Sequence, residues 1–197
     1  MKQQEKPSQD ETDYDELIYS WYKKAVVEDY FSKFVFLYMA FIAFLRKKRF
    51  SECVKDRDAI EKLKEDDEIK DKFYTFYVKC DRSMIVNIEG LVRELKKQPL
   101  MNETDGRIKQ VVVNSVEDWE NIIEFIYIVR NNLFHGEKSP EAFRDSIMVR
   151  YAYTLLQPII EVMIGMIDMQ RLGLRANKLR EYENILIQEE KDAKNKT

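Results

Sequence analysis

The segment FVFLYMAFIAFL, residues 34 to 45, constrains the fold most: 12 consecutive apolar residues closed by the basic RKKR. About 20 apolar residues are needed to cross a bilayer, whereas about 10 to 14 are typical of a buried core helix. This run is the one candidate for a membrane span, and its length assigns it to the core, so no membrane partner is expected. Upstream, Tyr14, Leu17, Ile18, Trp21, Tyr22, Ala25, Val26 and Tyr30 recur at steps of three and four and lead into Phe34, Leu37, Tyr38, Phe41, Ile42 and Leu45. That period predicts one amphipathic helix from Tyr14 to Leu45 that becomes apolar all round in its second half. A helix apolar on every side needs neighbours on every side, so a helical bundle follows. Composition agrees, because 5 glycines and 4 prolines among 197 residues, with 35% charged residues, are the balance of an all-α protein. With 45% hydrophobic residues the chain is long enough to bury one sizeable core.

Further helices follow from the same reasoning. Ser51 is positioned to cap a short helix carrying Val54, Ile60 and Leu63, and the acidic EDDE at 65 to 68 suits the start of the next. Ile69, Phe73, Phe76, Cys80, Met84, Ile88, Leu91 and Leu95 then predict one long helix that stops before Pro99. Residues 99 to 114, with Pro99, Gly106 and IKQVVVN, read as a connector with one extended stretch. Ser115 and Asp118 have capping-box spacing, so a helix is expected from about Val116, striped by Ile122, Phe125, Ile126, Val129 and Leu133 and ended by Gly136. SPEA at 139 to 142 restarts a helix that carries Met148, Ala152, Leu155, Ile159, Met163, Met166 and Met169 and should kink at Pro158. Trp21 and Trp119 read as core anchors, and the methionines as packing. The expected organisation is a disordered lead-in over 1–12, one helical domain of about five main helices over 13–172, and a charged C-terminal helix with a frayed tail over 173–197.

Charge and cysteine content narrow the function classes. A net charge of -3 is not the basic balance of a non-specific nucleic-acid binder, so any such contact must come from local patches. Cys53 and Cys80 are isolated, and the polar start MKQQEKPSQDETDYDE lacks the apolar core of a secretion signal, which points to a reducing cytoplasm. With one histidine and two distant cysteines there is no HExxH, zinc finger or His-rich cluster, and no GxxxxGK, GxGxxG or GxSxG occurs. No metal and no cofactor are therefore expected.

What remains is RNNLFH, which holds the chain's only histidine, His135. On a helix, Asn131 and His135 share a face, and Arg130 lies about 100° round from Asn131, within reach of the same cleft. A cation, an amide and an imidazole without a carboxylate or thiol nucleophile suit RNA, whose own 2′-hydroxyl attacks the adjacent phosphate. The imidazole moves a proton while the guanidinium holds the non-bridging oxygens as charge develops. On spacing alone, however, an Arg and a His near a helix end are more often there for the exposed carbonyls, a contact worth about 0.3 to 1 kcal/mol.

The wider phrase IYIVRNNLFHGEKSPEAFRD, followed by VRYAYTLLQPIIEVM, resembles the HEPN superfamily (higher eukaryotes and prokaryotes nucleotide-binding). Its motif is Arg, a polar residue, three variable residues and His on a helix of an α-helical bundle. Arg130, Asn131 and His135 match the motif in turn, Gly136 follows as in many bacterial members, and DYFSKFVFLYMAFIAFL looks like the first core helix of such proteins. The resemblance spans about residues 14 to 170, without specific features between 50 and 112. It implies a HEPN-like bundle and a metal-independent endoribonuclease, often a toxin or phage-defence effector, with a composite site formed in a homodimer. His135 and Arg130 would act on the scissile phosphate, Asn131 would orient the histidine or the phosphate, and the products would be a cyclic phosphate and a 5′-hydroxyl.

Lys138, Arg144 and Arg150 lie close to this motif in sequence and are the expected RNA contacts, whereas RKKR at 46 to 49 could contact phosphates along an RNA path but reads first as ordinary helix-end charge. Two other readings stand beside the nuclease. One is a non-catalytic module of the same fold that binds RNA, a nucleotide or a protein. The other is an obligate subunit whose charged C-terminal helix docks on another chain, such as an antitoxin.

Overall fold

The computed structural model of the 197-residue chain describes residues 14–25, 29–102, 109–134 and 144–168. Within them the chain runs through α1 (Tyr14–Lys24), α2 (Tyr30–Phe44), α3 (Asp56–Lys64), α4 (Asp67–Phe73), α5 (Arg82–Lys97), β1 (Leu100–Asn102), β2 (Lys109–Val111), α6 (Trp119–Phe134) and α7 (Arg144–Asp168). π-helical turns at Leu45–Arg49 and Tyr74–Val78 extend α2 and α4. The all-α expectation holds.

Two helices expected to be continuous are each divided. The long period from Tyr14 breaks at Asp29, whose backbone is extended (φ -89°, ψ 146°) and whose carboxylate accepts from the Ser32 amide at 2.8 Å. An aspartate three residues before a serine is a cap as well as part of a stripe, and here the cap prevails. Lys48 then pairs with Asp15 at 2.8 Å and Lys47 lies over Tyr14, so the far end of α2 returns to the start of α1 and the pair forms a hairpin. The expected helix over 69–97 likewise ends in a π-helical turn and restarts at Asp81, whose carboxylate accepts from the Ser83 amide at 2.8 Å. The break leaves Phe76 exposed, outside the predicted stripe.

Smaller corrections concern caps. α3 starts at Asp56, with Lys55 and not Ser51 in the preceding position, and Val54 is exposed. Ser115 Oγ accepts from the Glu117 amide, and Asp118 accepts from Asn114 instead of closing a box with Ser115, so α6 begins at Trp119, three residues late. Asp66 caps α4 by accepting from the Ile69 amide at 3.1 Å, as the acidic run predicted. The connector after Pro99 holds two short strands instead of one extended stretch, antiparallel with Leu100 opposite Val111.

The core gathers Phe34, Leu37, Phe41 and Phe44 of α2, Ile60 and Leu63 of α3, Leu91 and Leu95 of α5, most of α6, and Leu155, Ile159 and Met163 of α7. α2 is thus core, as its composition required. Trp119 is buried and donates from its indole to the Leu63 carbonyl at 3.2 Å, while Trp21 stacks on Phe36 at the edge. α7 runs unbroken through Pro158. Among the described residues it, and not the 34–45 run, is the helix long and apolar enough to cross a membrane by length and composition, and 56% of its apolar window is buried inside the protein. The lead-in before Tyr14, the SPEA segment, Met169 and the charged C-terminal segment lie outside the described residues.

Candidate functional site

α6 carries the motif, and its neighbours fix where the motif points. Its apolar residues are buried on nearly every side, so the polar residues buried among them, Glu124, Asn131 and Asn132, need partners inside the protein. Near the start of the helix Glu124 receives Arg57 at 2.8 Å and Lys64 at 2.6 Å. Burial opposes the charge on Arg57, but the hydrogen bond and charge of Glu124 outweigh it, and the guanidinium pKa is raised. One turn on, Arg57 lies over the ring of Tyr127. α3 therefore runs antiparallel along α6, with its end beside Trp119 and its start beside Arg130.

At that start stands Asp56. Arg130 Nη2 lies 3.6 Å from Asp56 Oδ2, an ion pair longer than a hydrogen bond, while Arg46 donates from Nη1 to Asp56 Oδ1 at 2.9 Å. Arg130 Nη1 also donates to Asn131 Oδ1 at 3.0 Å. Its guanidinium lies over the buried ring of Tyr38, 5.5 Å from the centroid, and over the exposed ring of Phe134 at 4.9 Å. The side chain of Arg130 remains 27% exposed, that of Arg46 33% and that of Asp56 24%, so solvent reaches all three. Nε of Arg46, Nε of Arg130 and the hydroxyl of Tyr38 are buried donors that have no acceptor among the described residues. Burial, helped by Asp56 and Tyr127 and opposed by Arg130, pushes the Tyr38 hydroxyl far above the usual tyrosine range.

Of the residues singled out in the sequence, Arg130 and Asn131 are brought together. His135 and Lys138 lie outside the described residues. Arg144 and Arg150 are held elsewhere: Arg144 Nη2 donates to the carbonyls of Gln98 at 2.5 Å and Pro99 at 3.2 Å, fastening α7 to the end of α5, and Arg150 lies over Tyr30. Their contacts share no residue with those of Arg130. The second asparagine, Asn132, is buried and donates to the Met101 carbonyl at 2.9 Å, anchoring the hairpin.

Asp56 is the addition sequence reasoning misses, and Arg46 is one that it ranks first as helix-end charge. The available signal was the first arginine of RKKR, which leaves a wholly apolar helix and so sits next to whatever that helix packs against. Among the described residues no three His, Cys, Asp or Glu side chains converge as a metal site would require. No family model matches the chain, and neither a curated protein nor a solved structure matches it.

Proposed function

We propose that the chain is a HEPN-type endoribonuclease that cleaves RNA by attack of the 2′-hydroxyl on the adjacent phosphate, without need of a metal, as a toxin or defence effector acting in the cytoplasm. The observation that carries this reading is the Arg130 guanidinium. It is oriented by Asn131 and two aromatic rings, only loosely paired with Asp56, and still open to solvent at the end of α6. A guanidinium so held meets a phosphate without first reorganising, which is where electrostatic catalysis gains most. His135 follows in the Arg130-Asn131-x3-His135 frame and is assigned the proton transfers. A homodimer supplies two such motifs to one composite site, and a protein partner, an antitoxin or another, would act on that site from outside.

The main competing reading is a non-catalytic RNA- or protein-binding module of the same fold. It draws on the same contacts, since a guanidinium stacked on two rings and paired with an aspartate also serves purely to hold α6 against α2 and α3.

The deciding experiment is cleavage of total cellular RNA by the full chain and by His135→Ala in excess EDTA, with product ends mapped. The nuclease reading expects cyclic phosphates and 5′-hydroxyls from the wild type, none from the variant, and a rate that peaks near the imidazole pKa of about 6.5. A folded wild type that leaves a broad RNA panel intact overturns it in favour of the binding module.

A further inference from the structure

Arg46 and Arg130 come from different elements, the π-helical turn after α2 and the last turn of α6, yet they meet at one carboxylate. Asp56 neutralises one positive charge of the two, and among the described residues no second acid pairs with either guanidinium. Each oxygen of Asp56 is already engaged, Oδ1 by Arg46 and Oδ2 by Arg130. A guanidinium offers five N–H donors. Arg130 uses one on Asn131 and points another at Asp56 across 3.6 Å, and Arg46 uses one on Asp56. The Nε donors of both are buried without an acceptor among the described residues. A surplus of one positive charge, several unfilled donors on two planar forks and an exposed edge call for an oxyanion with more than one oxygen, and arginine pairs match phosphate in this way.

We infer that Arg46, Asp56 and Arg130 form a phosphate-binding site in which the two arginines grip the anion and Asp56 positions them. Arg46 is then a second binding cation at the end of α6. Asp56 is a positioning residue: it holds the forks side by side and keeps their mutual repulsion in check while the site is empty of anion. That the phosphate is an RNA phosphodiester rests on the ribonuclease reading; the anion site itself does not.

The test is a titration of the full chain, labelled with 15N, by inorganic phosphate at constant ionic strength, with chloride as the replaced ion. The arginine Nε–H resonances are the probe, because these donors are the unfilled ones. The expected result is that the Arg46 and Arg130 signals shift together and saturate at one concentration, and that Arg46→Lys weakens phosphate binding at Arg130 at least about tenfold, as loss of a bidentate fork should. The inference is overturned if neither signal moves in the wild type, if chloride moves them equally, or if the Arg130 shift is unchanged in a folded Arg46→Lys. The wild-type arm stands even if the variant does not fold. Phosphate shifts in a chain that leaves RNA uncut would sink the ribonuclease reading alone, and cleavage without phosphate shifts would sink this site alone.

Discussion

The two ends of the α3–α6 interface each set one central carboxylate against two cations, and they behave as opposites. At the Trp119 end Glu124 is 3% exposed and takes Lys64 at 2.6 Å and Arg57 at 2.8 Å. Glu61 supplies a second acid that pairs with both cations, so two charges meet two. At the Arg130 end Asp56 is 24% exposed, one of its contacts stretches to 3.6 Å, and one acid faces two arginines. The three buried donors without an acceptor among the described residues, on Arg46, Arg130 and Tyr38, all lie at this second end. The same ingredients thus make a closed structural clasp at one end and an under-filled site at the other. The difference lies in solvent access and in whether the charges balance, since a buried pair tolerates no missing partner while a half-exposed one does.

The largest effect should come from opening the closed end. Glu124→Gln leaves Arg57 and Lys64 without their buried acid, and losing one partner of such a network costs about 3–5 kcal/mol. Asp56→Asn should cost no more than about 1 kcal/mol, because its partners keep solvent. Chemical denaturation of the two variants measures both numbers. Equal losses would erase the distinction and make Asp56 part of the same structural clasp.

A smaller effect is expected at Phe134, which is exposed and carries the Arg130 guanidinium on its face. Phe134→Ala should leave stability nearly unchanged. In the ribonuclease reading it should raise KM about two- to fivefold, the equivalent of the roughly 0.5–1 kcal/mol of an exposed cation–π pair. Steady-state cleavage of a short oligoribonucleotide checks it, and a KM equal to that of the wild type would mean that Tyr38 and Asn131 suffice to orient the arginine.

How far the sequence reaches can be judged at these same residues. The helices and the buried run 34–45 are local properties, set by periods of three to four, and they were legible. The breaks at Asp29 and Asp81 were not. There a capping aspartate competes with a continuing stripe, and the sum over tertiary contacts decides. Asp56 and the meeting of Arg46 with Arg130 were illegible for a different reason: the two residues lie 74 and 84 residues before Arg130, and only the packing of α3 on α6, with Arg46 held on Asp56, brings them to it. Arg144 and Arg150 mark the converse limit. Both follow the motif closely in sequence, yet on α7 they meet Gln98 and Tyr30 instead.

The finest test of the open end is Tyr38, whose ring lies beneath Arg130 and whose hydroxyl is buried with no acceptor among the described residues. An unmet buried hydroxyl costs about 1–3 kcal/mol, so Tyr38→Phe, which removes the hydroxyl and keeps the ring, should raise stability by about 1 kcal/mol. The pH dependence supplies an independent check. Because burial raises the folded pKa of this phenol above its ordinary value of 10.0, its contribution is complete below that value and is lost as pH climbs towards the folded one. Tyr74 and Tyr77, also raised, titrate in both proteins, so the difference between wild type and variant isolates Tyr38. Wild-type stability should fall more steeply than that of Tyr38→Phe above about pH 10. If the variant is instead less stable at neutral pH, the hydroxyl has an acceptor. If adding phosphate widens that deficit, the acceptor is the anion held by Arg46 and Arg130, and the open end is a site in which all three donors act together.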